Sequence, residues 1–226
     1  MTLNIRLATP DDAEPLADLN NRIWPDIPTT PARAAQITLH PDHAPLIATQ
    51  DGAPVGFAES FSLEVAHRSV WEIDLLAVAP EARGHGLATR LIRQSVWHGQ
   101  QAHATQCRAV VRLGNTPAER AFAAAGFTPT VPMSLMVAEP APQGLTAMVI
   151  NPTWRVVETL TYRGLWAEYQ GVSSFFKALR STAYQEGCHS VGLLVPQTEA
   201  DALDQLSSLG FEPIGAYRRW LYALVG

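Results

Sequence analysis

"LLAVAPEARGHGLATRLI", residues 75–92, runs from an apolar stretch through Pro80 and two glycines into a segment with helical periodicity. Arg83 stands just before Gly84, and His85 separates Gly84 from Gly86. Glycines let successive backbone N–H groups turn toward one point, and the helix that follows adds free N–H groups and a positive dipole end. Such a loop suits an anion, above all a pyrophosphate held mostly by main chain. Arg90 and Arg93 add positive charge within two turns. The plainer reading is a glycine-rich strand-to-helix turn with no ligand.

Two familiar phosphate loops do not fit. A P-loop ends in Gly-Lys-Ser/Thr, which is absent. A dinucleotide fingerprint reads G-x-G-x-x-G/A and needs an acid about twenty residues on for the ribose. Here Gly84-His85-Gly86-Leu87-Ala88-Thr89 ends in Thr, and Ala82 through Ala118 contains neither Asp nor Glu. Both features argue against NAD.

The flanks read as a regular alternation of elements. "LNIRLA" (3–8) alternates as a strand. "TPDDAEPLADLNNRIW" is a helix to about Asn21, capped by Thr9 or Asp11. "PDIPTTP" is a loop, and "ARAAQITLH" a short second helix. "APLIATQDGAPVGFAESFSLEV" is a hairpin turning at Asp51-Gly52, and "VWEIDLLAV" (70–78) is the next strand. The helix after the glycines runs to about Gln101 on a stripe of Leu87, Leu91, Ile92 and Val96. "CRAVVRL" is a strand, "TPAERAFAAAGF" a helix stopped by Gly126, and "SLMVA" a strand.

Beyond "EPAPQG" (139–144), the best linker, the chain echoes itself. "AAGFTP" (124–129) returns as "SLGFEP" (208–213), and "SVGLLV" (190–195) stands where "CRAVVRL" stood. "AEYQGVSSFFKAL" (167–179) is a weak counterpart of the glycine loop and its helix, with Ser173 in the place of Gly86. The expected organisation is a front domain 1–139, a linker 140–144 and a worn half-copy 145–226. That half is expected to bind no cofactor, and to pack on the front domain, close part of a cleft or make a homodimer.

"LLAVAPEARGHGLATRLI" resembles the acetyl-CoA motif of the GNAT (Gcn5-related N-acetyltransferase) family, and "NTPAERAFAAAGF" resembles that family's next motif. The resemblance covers roughly residues 1–138. "LNNRIW" to "AAGF" also bears a fainter likeness to aminoglycoside 6'-N-acetyltransferases. The family implies an α/β (α+β) fold with a mixed, mostly antiparallel sheet flanked by helices, here with a partial GNAT-like C-terminal unit. It implies acetyl-CoA as co-substrate and a primary amine, on a small molecule or a peptide, as acceptor. Its strand before the loop splays from its neighbour, which maps to Leu76, Ala77 and Val78. Its pyrophosphate loop maps to Arg83, Gly84, His85, Gly86, Leu87, Ala88 and Thr89. Asn115 and the helix after it, including Phe122, flank the thiol end.

Two departures stand out. Glu81 holds a place usually taken by Gln or Arg, and is expected to point to solvent. Phe122 holds the place of a Tyr proposed in many members to protonate the leaving thiolate. The alternative to an active enzyme is therefore a non-catalytic acetyl-CoA binder or scaffold.

Glu72 and Asp74 are the candidate bases. Strand periodicity places both on one face with Leu76 and Val78, and Glu72 is preferred because members often carry an acid there. Trp24 and Asp26, between the first two helices, are candidate acceptor contacts, although a core role suits Trp24 better. Glu59 and Glu64 read as surface acids that could attract a cation. "HPDH" (40–43) reads as an exposed loop, since zinc would need further ligands, and no metal is expected. Net charge is −5 and pI about 5.8, which argues against nucleic acid. Cys107 and Cys188 lie far apart without a CxxC and read as reduced thiols. With no signal-like start and no 18-residue apolar run, a cytoplasmic location is expected and a membrane partner is not.

Overall fold

The computed structural model describes residues 2–65, 67–142, 154–171 and 176–224. The chain divides into two compact units: 1–130 with 159–161 and 219–226, and 131–158 with 162–218.

In the first unit, β1 (Leu3–Leu7), β2 (Leu46–Gln50), β3 (Ala53–Val65) and β4 (Arg68–Val78) pair antiparallel, each with the next. The β2–β3 turn falls at Asp51-Gly52, both at positive φ, as that dipeptide favours. β4 pairs parallel with β5 (Gln106–Arg112), and the last residues of β11 (Glu212–Ala223) complete the order. A two-residue strand, β6 (Thr128–Pro129), pairs with Leu221 and Trp220.

One face of this sheet carries α1 (Ala13–Ile23) and α2 (Pro31–Thr38), packed on Phe57, Leu75 and Ala77. The other carries α3 (Leu87–Gln101) and α4 (Thr116–Ala124), packed on Trp71, Ile73, Cys107 and Ala109. α3 seats closely because Gly99 leaves room for the Trp71 indole, whose Nε1 donates to Ser95 Oγ at 3.0 Å. Arg93, expected near an anion, instead donates to the Ala124 carbonyl at the end of α4.

The second unit orders residues 212–217 of β11, then β7 (Met133–Ala138), β10 (Ser190–Pro196), β9 (Arg163–Glu168) and β8 (Trp154–Glu158). α5 (Phe176–Gln185) and α6 (Ala200–Ser208) contribute Phe176, Leu179 and Leu206 to its core. The contiguous division read from the sequence differs from this one. "SLMVA" belongs to the second unit, where it pairs with β10, while residues 219–226 belong to the first. Pairing between distant strands sets that exchange, and local composition carries no trace of it.

Local geometry repeats at an offset of 84 residues. Gly126 and Gly210 both adopt positive φ. Phe127 and Phe211 each donate from N to the carbonyl five residues back, at 3.0 Å, and each is buried. β5 and β10 begin at Gln106 and Ser190, and the α4 and α6 caps are Asn115 and Glu199.

Candidate active site

β4 and β5 are in register only from Val70↔Gln106 to Ile73↔Ala109. β4 continues to Val78, and beyond Ile73 its register is with β3. The two parallel strands therefore part beyond Ile73. Their divergence begins at a bulge, because Glu59 faces Leu75 while Ser60 faces Ile73, leaving Asp74 as the extra residue.

The bulge corrects the expected facing of the two acids. An added residue shifts the two-residue alternation by one. Trp71 and Ile73 pack toward α3, and so do Leu76 and Val78 after the bulge. Leu75 and Ala77 pack toward α1 and α2. Glu72 thus lies on the opposite face from Leu76 and Val78. It is buried and ion-paired with Arg108, its register partner on β5. Asp74 is half-buried at the start of the splay.

Past Val78 the chain makes one turn of 3₁₀ helix, Pro80–Ala82, then the exposed residues Arg83 to Gly86. Gly84 and Gly86 have φ of 81° and 74°, and a Cβ on either would meet nothing within 4 Å. The loop is open to solvent at both glycines. Gly86 caps α3 without a side chain, and no acid lies in that first turn, so the N–H groups of Leu87, Ala88 and Thr89 begin the helix without a side-chain acceptor at the cap. Arg83 Nε donates to the Val78 carbonyl at 3.0 Å, tying the loop to the end of β4. His85 is exposed. Glu81 is exposed and pairs with Arg22 at 3.2 Å, so its carboxylate is turned to solvent.

Asn115 Oδ1 accepts from Ala118 N at 3.3 Å and caps α4 beyond the end of β5. Phe122, expected to flank the thiol end, lies on α4. It is buried in the α4 core, edge-on to Phe127 at 5.2 Å and 6.3 Å from Trp220. Helical period turns this position toward the sheet.

The α1/α2 face is polar in its middle. Trp24 is half-buried against Phe57 at 5.8 Å, a packing role, and Asp26 is exposed. The loop between them and α2 is clamped: Asn21 bonds both N and O of Thr29, at 2.8 and 3.0 Å, and Asn20 Nδ2 donates to the Ile27 carbonyl. Glu59 is fully buried rather than a surface acid. Its Oε2 accepts from Leu160 N at 2.9 Å, and its Oε1 lies 3.3 Å from His43 Nδ1. Burial pushes its pKa up to about 8, and burial holds that of His43 down to about 4. His43, expected in an exposed loop, has a buried side chain stacked on Phe61 at 4.9 Å. Sequence reading missed this pair because neither residue type signals burial, although Glu59 alternates with Phe57 and Phe61 along one strand.

The second unit has a different opening. β9 pairs with β10 from Gly164 to Glu168, its last residue, and does not run on past the parallel register as β4 does. Ser173 lies outside the described residues. Among the described residues, no three His, Cys, Asp or Glu side chains cluster as a metal site, and no helix is long and apolar enough to cross a membrane.

A strand pair that parts beside a glycine loop and a helix N-terminus fits the acetyltransferase fold expected from the sequence. The acetyltransferase (GNAT) family matches residues 13–127, and the chain belongs to that family. No curated protein matches it. Among solved structures it is similar to a GCN5-related N-acetyltransferase from Sphaerobacter thermophilus, at 17% identity over 98% of this chain and 95% of that one, TM-score 0.59. It is similar to the glucosamine N-acetyltransferase region of a fungal multi-domain GH3 β-N-acetylglucosaminidase, at 13% identity over 98% of this chain and 38% of that one, TM-score 0.64. AAC(6')-Iy, in complex with a bisubstrate analogue, matches at 23% identity over 57% of this chain and 92% of that one, TM-score 0.52. These likenesses concern the fold.

Proposed function

We propose that the protein is an acetyl-CoA-dependent N-acetyltransferase that moves an acetyl group to a primary amine by direct attack. The observation that carries this reading is the parting of β4 from β5 beyond Ile73, followed by the open Gly84–Gly86 loop and the N-terminus of α3. Backbone of Leu76 to Val78 would pair with the pantetheine arm, and the loop N–H groups would hold the pyrophosphate. AAC(6')-Iy, solved with a CoA-linked acetylneamine, supports the donor and the amine class by analogy.

The amine arrives protonated near neutral pH and must lose a proton before it attacks. Its nitrogen then bonds to the acetyl carbon, the carbon–sulfur bond breaks, and the second proton on nitrogen passes through water to the leaving thiolate. We assign the proton acceptor to Asp74, half-buried where the strands part. Glu72 is engaged with Arg108 and is assigned a positioning role. The second unit, with no strand running past its parallel register, is read as a half-copy that binds no coenzyme A.

Phe122 favours a second reading. A buried phenyl ring cannot protonate a thiolate, which suits a slow or non-catalytic acetyl-CoA binder. Coenzyme A release, followed with a panel of small-molecule, lysine and peptide N-terminal amines, separates the two. The enzyme reading expects turnover with at least one amine, and a loss of about 10²-fold in kcat for Asp74→Asn with acetyl-CoA affinity unchanged. Tight acetyl-CoA binding without turnover on any amine supports the binder instead.

A further inference from the structure

The turn Thr159–Thr161 lies far along the chain, yet it belongs to the first unit and buries Leu160 in the core beneath α1 and α2. Three side chains, from β3, from α2 and from the loop before α2, hold its backbone. Glu59 on β3 accepts from Leu160 N, Thr29 Oγ1 donates to the Leu160 carbonyl, and Arg33 Nε on α2 donates to the Thr159 carbonyl at 2.8 Å. Thr29 is also the residue that Asn21 clamps. The turn is therefore the fixed point of the loop between α1 and α2.

We propose that Glu59 is a positioning residue for the acceptor side of the reaction, a carboxylic acid that ties the turn Thr159–Thr161, and through it the 24–30 loop, to the sheet. This rests on the acetyl-transfer reading only in assigning that loop to the acceptor. Glu59 Oε1 and His43 Nδ1 are both buried, and among the described residues neither has another hydrogen-bond partner. They face each other at 3.3 Å. One proton satisfies both: Oε1–H donates to Nδ1 of a neutral His43, and Oε2 still accepts from Leu160. A buried ionised carboxylate without that proton faces a large desolvation cost.

The charged groups around the pair are few. Arg33 on α2 favours the ionised Glu59 and the neutral His43; Asp42 favours the protonated His43. Half-buried His40 packs edge-on to His43 at 4.4 Å. Along the sheet, Glu72 with Arg108, and Asp74 at the bulge, are the neighbouring ionisable groups. Burial outweighs Arg33 at Glu59, so the carboxyl holds its proton through neutrality and yields it near pH 8. Because the folded-state pKa is raised, the proton's stabilising contribution is full below the ordinary carboxylate range and is lost as pH rises to about 8.

Hydrogen exchange on the full chain, corrected for intrinsic rates, tests this. In the wild type, protection of Leu160 and of residues 24–30 should fall severalfold between pH 6.5 and 9. In Glu59→Gln, whose amide can donate to His43 and accept from Leu160 at any pH, protection there should stay constant. Thr29→Val should loosen residues 24–30 at every pH and leave the pH response of Leu160 in place. For any amine that the panel shows to be turned over, the wild-type acceptor KM should rise relative to Glu59→Gln over the same range, with acetyl-CoA KM equal in both. Wild-type protection that does not change with pH, or a Glu59→Gln variant that responds as the wild type does, overturns the proposal. The exchange arm needs no turnover, so a failed amine panel would sink the enzyme reading alone.

Discussion

At the scale of single residues, the first unit relies on a few groups whose surroundings override their usual character. Asp12 is the acid-side example. It accepts from both guanidinium nitrogens of Arg6, at 2.6 and 2.7 Å, and from the Thr9 backbone at 2.8 Å. The Arg6 bonds hold its pKa down to about 2, against the pull of burial. A lowered folded-state pKa means the stabilisation is present above the ordinary carboxylate range and is lost as pH falls through about 2. Arg6 is partly exposed, so solvent screening limits the effect to about 1–2 kcal/mol. Asp12→Asn should lower the melting temperature at pH 6 and converge on the wild type near pH 2. An unchanged gap across that range would mean the pair contributes through packing rather than charge.

At the scale of elements, the lesson concerns α3 and β4, which together build the candidate site. Gly99 sits mid-helix, where glycine costs about 1 kcal/mol relative to alanine. A Cβ there would lie 2.8 Å from Trp71 Cγ and 2.9 Å from Trp71 Cβ. Those atoms are near the root of the side chain and cannot swing away. Overpacking of this kind costs about 1–3 kcal/mol, which outweighs the helix gain. Gly99→Ala should therefore lower the melting temperature by a few degrees, and a stabilised variant would show that α3 can slide on the sheet. The passage 75–92 was legible from sequence because its signals are local: an apolar run, Pro80, two glycines and a 3.6-residue stripe. Asp51-Gly52 and Gly126 were legible for the same reason. The Asp74 bulge was not, because a bulge is a property of pairing between two strands. It moved Glu72 to the face opposite Leu76 and Val78. Glu59 and His43 were read as exposed because Glu59 meets a turn about a hundred residues further on and His43 packs against it.

At the scale of the whole molecule, two units share one chain by exchanging segments, with 131–138 in the second and 159–161 and 219–226 in the first. The repeat of Gly126-Phe127 at Gly210-Phe211 was visible in the sequence, and it recurs in hydrogen bonding. The exchange was not visible, since strand order depends on partners rather than on neighbours in sequence. The repeat is uneven at the strand ends. β4 runs past its parallel register into a glycine loop, and β9 ends where its register ends. The central claim, that this one opening holds acetyl-CoA, is tested most directly by calorimetric titration of acetyl-CoA into the wild type and Gly86→Arg. The account predicts one site per chain in the wild type. In the variant, a long side chain at a left-handed position in the loop should weaken binding at least tenfold, about 1.4 kcal/mol, with the fold intact by circular dichroism. Two sites in the wild type, or unchanged affinity in Gly86→Arg, would contradict it.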